Sequence, residues 1–309
     1  MHNQRHNNHT HTHASDSTPV SRLLIVLVLS GSVMVAELVG AVISGSLSLL
    51  TDSGHMLSDS AGLAIALIAA HTMRRPRTDR FTWGFARSEV ISAAAQAGIL
   101  LVVCVAVTVE AAHRFIAPPE IHAQSMAIFA AIGLVANLIG LLLLRSHADS
   151  SLNTRAAFLE VLNDTFGSLA VLAAAAVTAL THWSYADPIA TLIVAALMAP
   201  RAINMLIRCI HILLEGTPAD IELAQVREHM LSQPLVIDVH DLHVSNISSN
   251  RVALTAHVTV DPEAFVDGSA ISLLHSLQEC ASEHFPLHVD HCTIQLDVPA
   301  HRDHEHLEH

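Results

Sequence analysis

The sequence is poor in charge, in aromatic side chains and in paired cysteines, and each shortage argues against a class of protein. Only 14% of its 309 residues are charged and 4% are aromatic, while 51% are hydrophobic. The apolar residues gather into runs of about twenty instead of alternating with polar ones, a composition that suits a bilayer better than a soluble core. Four cysteines, Cys104, Cys209, Cys280 and Cys292, form no C-x-x-C pair, and two of them lie in or beside apolar runs. That spacing argues against a disulfide framework and against a zinc ribbon. Lysine is missing altogether, so all 15 basic residues are Arg. A removable signal peptide is not expected either. The first apolar run is too long, lacks a small-residue cleavage site and follows a polar tail, not a basic one.

Six apolar runs are present: Ser21 to Ser44, Leu47 to Met73, Glu89 to Phe115, Ser125 to Leu144, Thr154 to Leu180 and Pro188 to Leu206. Each is long enough, as a helix, to cross about 30 Å of hydrocarbon. The arginines are distributed unevenly about them. Arg74, Arg75, Arg77, Arg80 and Arg87 fall between runs two and three, Arg145 and Arg155 between four and five, and Arg201 and Arg208 at the end of six, whereas the opposite side holds Arg114. The positive-inside rule then places both termini in the cytoplasm. From Leu213 onward the composition becomes that of a soluble domain, with 3 Arg against 16 Asp and Glu, a net of −13 that equals the charge of the whole chain. Such a surface attracts cations and repels nucleic acid.

The expected architecture is an all-α six-helix transmembrane domain at residues 21–212, then a small cytosolic α+β domain at 213–298. A polar arm at 1–20 carries His2, His6, His9, His11 and His13, and a His-rich tail occupies 299–309. Within the cytosolic part, "ADIELAQVREHMLSQ" reads as a helix, "LVIDVHDLHVSNI" and "RVALTAHVTV" as strands, "GSAISLLHSLQECASEHF" as a helix and "HCTIQLDV" as a strand. The order α-β-β-α-β describes an open-faced sandwich of the ferredoxin or metallochaperone kind. In the second strand Val252, Leu254, Ala256, Val258 and Val260 take the apolar face, leaving Thr255, His257 and Thr259 on the other. In the third, Ile294 and Leu296 leave Gln295 and Asp297 outward. Parity in the first strand switches between Ile237 and Val239 on one face and Leu242 and Val244 on the other, which predicts a bulge at His240-Asp241. That bulge lets His240, His257 and Asp297 converge as a candidate metal-binding set.

The chemistry of the membrane part begins at "SLLTDSGHMLSDSAG". Asp52, His55 and Asp59 fall at helical spacings of three and four, so they share one face. A charged residue at a helix centre costs about 2.5–3.5 kcal/mol, which demands a compensating partner. The fifth run offers one in "RAAFLEVLNDTFGSLAV", where Glu160 and Asp164 repeat the four-residue spacing and Gly167 and Ser168 allow a neighbouring helix to come close. Two helices with two ligands each make a four-coordinate site for a divalent metal of the zinc type. The competing view is a pair of structural polar clusters satisfied by backbone or water. Glu37, Gln96 and Asn137 read as interhelical hydrogen-bond partners, and Glu89 and Glu110 lie near helix ends. A membrane di-iron oxidase would need paired E-x-x-H motifs, of which the spans hold one, Glu110-His113. A metal sensor that binds without transport stays open.

The stretches "GSLSLLTDSGHMLSDSAGL", "RRPRTDRFTWGFARSE", "NTRAAFLEVLNDTFGS", "ADPI" and "DVHDLHVSNI" together resemble the cation diffusion facilitator family, most closely its bacterial zinc and cobalt branch, over about residues 20–298. The resemblance implies a proton-coupled antiporter, not an enzyme, that exports divalent metal from the cytoplasm. Zn2+ is the expected cargo, with cobalt, cadmium, iron and manganese as further ones, and no other cofactor is implied. It implies a transport site of His55, Asp59, Glu160 and Asp164, with Asp52 as a possible accessory, and a dimerising, metal-binding cytosolic domain. The expected partners are metal ions, protons, membrane lipid and a second copy of the chain, without nucleic acid, and the expected location is the bacterial inner (plasma) membrane. Three departures stand out. Glu160 occupies a position that is usually His, the loop between spans two and three has Phe81 and Phe85 where some members have His ligands, and the connection "RSHADSSLNTR" is short.

Overall fold

A computed structural model describes residues 20–73, 75–145, 152–249, 251–283 and 289–302. The His-bearing arm, the tail from 303 on and the side chain of Glu160 lie outside the described residues. Six long helices come first: α1 (Val20–Ser44), α2 (Leu47–Met73), α3 (Ser88–Ile116), α4 (Ala123–Arg145), α5 (Leu152–Thr181) and α6 (Ala186–Leu213). They follow the six apolar runs closely, except that α6 continues past Leu206. Arg208 and His211 interrupt the hydropathy there without opposing a helix. Stretches in α3, α4, α5 and α6 are each long and apolar enough to cross a membrane, and α1 adds the shorter apolar segment Gly31–Ser44.

The chain divides into two compact units, one of Met1–Leu57 with Glu110–Val194 and one of Ser58–Val109 with Ala195–His309. In the first unit α4 packs against both α1 and α5. Two glycines allow the α1–α4 approach. A side chain at Gly40 would strike the Phe129 ring, and one at Gly133 would strike the Glu37 carboxylate. Each helix thus leaves a hole for the other's large residue, the close packing that small residues permit between membrane helices. Higher numbers on α1 meet lower numbers on α4, so the two run antiparallel.

The α1–α2 junction is equally specific. Gly45, at φ 70°, ends α1 in the left-handed conformation that glycine adopts without strain. Ser46 then caps α2, its Oγ accepting from Leu49 N at 3.2 Å. From α6, the fully buried Asp187 accepts hydrogen bonds from Ser46 Oγ, Leu47 N, Ser48 N and Ser48 Oγ at 2.6–3.1 Å. Arg114 completes the knot, donating to Gly45 O at 2.7 Å and approaching Asp187 Oδ2 at 3.4 Å. The "ADPI" motif is therefore a carboxylate clamp on the start of α2.

The second unit contains the cytosolic domain. Helix α7 (Leu223–Leu231) leads to strands β1 (Val236–Ser248) and β2 (Arg251–Val260). Then come α8 (Glu263–Val266), α9 (Ala270–Glu283), β3 (Val289–Asp297) and α10 (Pro299–Arg302). Strand β2 is central, antiparallel to β1 and parallel to β3. All five apolar positions of β2 are buried with Val226 and Met230 of α7 and Leu273 and Leu277 of α9. A fully buried aliphatic side chain of this kind contributes about 1.5–3 kcal/mol.

Three details differ from the sequence reading. The one-turn helices α8 and α10 are additional. Ile237 does not share the buried face of Val239 but is 53% exposed, because a second register shift between Val236 and Asp238 turns it outward. Thr259 and Asp297 sit on the polar face yet are buried, since they pair across β2 and β3 where α10 folds back against β2. The same unit ties the loop before α3 to the sheet domain. Trp83 meets His291 edge to face at 4.9 Å, Ser249 Oγ donates to Glu89 Oε1 at 2.8 Å, and Arg87 pairs with Glu215.

Candidate metal centres

Within the first unit, α2 and α5 bring His55 and Asp164 together. His55 Nε2 lies 3.2 Å from Asp164 Oδ1, with the side chains 5% and 15% exposed. One turn earlier on α2, Asp52 accepts a hydrogen bond from Ser168 Oγ at 3.3 Å, and Ser168 Oγ in turn accepts from Asn137 Nδ2 at 3.1 Å. A side chain at Gly167 would come 3.4 Å from Asp52 Oδ1, an ordinary van der Waals contact, so glycine is not required there and it is Ser168 that reaches α2. Glu160 lies one turn before Asp164 on α5. Asn137 is a hydrogen-bond partner as expected, but Glu37 is not. It is fully buried, and neither carboxylate oxygen has a hydrogen bond among the described residues.

Within the second unit, Asp59 accepts from Gln96 Nε2 of α3 at 3.3 Å. Gln96 is thus the expected interhelical partner, and what it holds is a predicted ligand. At the far end of α3, in the first unit, the Glu110-His113 motif is 49% and 72% exposed, and Glu110 pairs with Arg114 at 3.2 Å. Such a surface position does not suit an oxidase centre, which gathers its carboxylates inside a bundle.

The cytosolic sheet assembles the other predicted set. The ligand atoms of His240, His257 and Asp297 all lie within 4.8 Å of one another. The bulge that aims them falls between His240 and His243, with Asp241 at φ 47°. Imidazoles of His240 and His257 stand edge to face at 5.5 Å. His257 Nδ1 is 3.8 Å from Asp297 Oδ2, and Gln295 Nε2 donates to both Asp297 oxygens at 3.1 Å.

Two aspartates absent from the predicted set complete the arrangement. Asp238 Oδ2 lies 3.3 Å from His240 Nδ1, and Asp241 Oδ2 lies 3.9 Å from His257 Nε2. A carboxylate behind an imidazole fixes its tautomer and raises its basicity as a ligand. Neither contact is a hydrogen bond here, so the two aspartates stand beside the imidazoles, where such partners sit, without fixing either ring. Asp241 is itself held by His243 Nε2 at 2.8 Å. The signal that could have found both is the repeated D-x-H of "DVHDLH", because alternate strand positions share a face. Cys292 packs with Ile294 and Leu296 against the core, on the other face of β3 from Asp297, and burial pushes its thiol up to about 11.

A helical domain with buried carboxylate and imidazole groups, joined to a domain built on a small sheet, is an arrangement that suits a membrane transporter for divalent cations. Comparison with known families agrees. Residues 23–214 match the cation efflux transmembrane domain, and residues 218–298 match the cytoplasmic domain of cation efflux proteins. The chain belongs to the cation efflux family, also called the cation diffusion facilitators. It is 35% identical to the metal cation efflux system protein CzcD of Cupriavidus metallidurans, over 94% of this chain and 90% of that one. It is 36% identical to the zinc transporter ZitB of Escherichia coli, over 97% and 96%. A cadmium, cobalt and zinc/H(+)-K(+) antiporter of Bacillus subtilis is 34% identical, over 90% and 89%.

Proposed function

We propose that the protein exports zinc from the cytoplasm in exchange for protons through His55, Asp59, Glu160 and Asp164, with Asp52 as an accessory group. The observation that carries this reading is the buried contact between His55 and Asp164 across α2 and α5. Asp59 and Glu160 are supplied one turn along the same two helices. Zinc as the cargo is supported by the relatives, which include zinc transporters and an antiporter for cadmium, cobalt and zinc. The chain crosses the bacterial inner membrane six times, with both termini in the cytoplasm, and pairs through its cytosolic domain with a second copy. His240, His257 and Asp297 bind metal there.

The coupling follows from the donor set. Burial disfavours an ionised carboxylate while a bound dication favours it, so metal and proton compete for the same groups. Alternating access exposes the loaded site first to the cytoplasm and then outside. A potential of 100 mV contributes about 2.3 kcal/mol per charge moved, so inward protons help to drive the outward dication. Sealed vesicles holding the purified protein test this directly. Zinc added on one side is expected to cross with a matching pH change, and Asp164→Ala is expected to abolish both signals while the protein stays inserted. Wild-type flux from that variant, or zinc binding without any flux, overturns the reading.

A further inference from the structure

We propose that His301, on the terminal turn α10, is the fourth ligand of the cytosolic metal site, closing the set of His240, His257 and Asp297. This rests on reading those three as metal ligands and adds the residue that their geometry lacks. Two imidazoles and one carboxylate leave one position vacant, whereas a closed zinc site takes four ligands in a tetrahedron. His301 Nε2 lies 3.8 Å from Asp297 Oδ1, the same separation as His257 Nδ1 from Asp297 Oδ2. Donors about 2.0–2.1 Å from one zinc ion in a tetrahedron are about 3.4 Å apart. His257 faces Oδ2 and His301 faces Oδ1, so holding one ion at a single Asp297 oxygen requires the exposed His301 side chain to swing toward His240 and His257, which already lie with Asp297 within 4.8 Å of one another. Asp297 is flanked by an imidazole on each oxygen, and Gln295 holds its carboxylate in place.

The chain delivers His301 by local means. Pro299 opens α10 directly after β3, in the first helical position that its fixed φ suits. His301 N donates to Val298 O at 2.9 Å, so four residues beyond Asp297 the backbone has turned back toward β2. His301 is 54% exposed, while His240, His257 and Asp297 are at 19%, 25% and 6%. The three held groups form the floor of the site, and His301 reaches it from the solvent side.

The test uses the full-length protein with Asp59→Ala and Asp164→Ala, so that the membrane site does not contribute, and cobalt(II) as the probe. Four-coordinate cobalt absorbs strongly in the visible and six-coordinate cobalt weakly, and zinc competition gives the affinity. The expected parent spectrum is the strong one. His301→Ala is expected to weaken binding by about tenfold or more and to collapse the band. His301→Cys is expected to restore it and add a thiolate-to-cobalt charge-transfer band. Replacing His304, His306 and His309 by Ala is expected to change nothing. If His301→Ala keeps the parent affinity and band while His240→Ala with His257→Ala abolishes them, the three-residue site stands and the fourth ligand falls. If that double variant binds like the parent, the underlying reading falls with it. Collapse of the band on removing the three tail histidines, with His301→Ala silent, also overturns the proposal.

Discussion

At the scale of single residues, the departure that matters most is Glu160. In the proposed transport site it makes the donor set one imidazole and three carboxylates, harder and more negative than a set with two imidazoles. Such a set favours metals that accept oxygen ligands, so cobalt, manganese and ferrous iron are expected to compete with zinc more effectively than at a two-imidazole site. Zinc is still expected to bind at the proposed site, because His55 remains and zinc stands above those metals in the usual affinity order. The coupling should differ too. Glu160 becomes neutral on taking a proton when the metal leaves, whereas an imidazole would become positive. Glu160→His is therefore expected to narrow the cargo toward zinc and to alter the pH dependence, read as zinc, cobalt, manganese and iron flux with internal pH in vesicles. An unchanged metal ranking and pH profile would remove Glu160 from selectivity.

At the scale of elements, the clamp holds the start of α2, the helix that carries the proposed ligand His55. Asp187 accepts four hydrogen bonds from Ser46, Leu47 and Ser48 and faces Arg114, all in a buried setting. Asp187→Ala removes the acceptor for the start of α2 and one of the two carboxylates beside Arg114, which keeps Glu110 and Gly45 O. A buried donor left unpaired costs about 1–3 kcal/mol, and thermal unfolding of the purified protein in detergent should register a loss of at least that order. Asp187→Asn, which keeps the size and part of the hydrogen bonding, should lose less. Equal, small losses for both variants would show that the clamp adds little. Because His55 lies two turns along α2 from these capped residues, Asp187→Ala is expected to impair flux as well.

At the scale of the whole molecule, the negative charge gathers on the cytosolic part, whose 16 acidic residues against 3 Arg account for the entire net charge of −13. That concentration draws cations toward the side from which they are exported. The cytosolic domain is also the expected site of pairing between copies. Light scattering of the detergent-solubilised protein should give a dimer, and a chain ending at Leu213 should give a monomer that remains inserted in membranes. A truncated chain that stays fully dimeric would place the interface in the membrane part instead.

The sequence by itself determined the helices and most of the sheet, because apolar runs of membrane length and strict strand alternation are local patterns with one low-energy reading. The bulge at His240-Asp241 was legible for the same reason, as a switch of parity within one strand. His55 and Asp164 could be paired in advance because carboxylates in hydrocarbon require partners, and only a few positions supply them. What only the tertiary structure decided lies between elements distant in sequence. Asp187 finds Ser46 and Ser48 about 140 positions away, and the holes at Gly40 and Gly133 have meaning only once α1 and α4 face each other. Asp238, Asp241 and His301 gain their positions from the fold of β1, β2 and α10 around one point. Hydropathy and periodicity record which face of an element is buried, whereas such contacts depend on which face of which neighbour it is buried against.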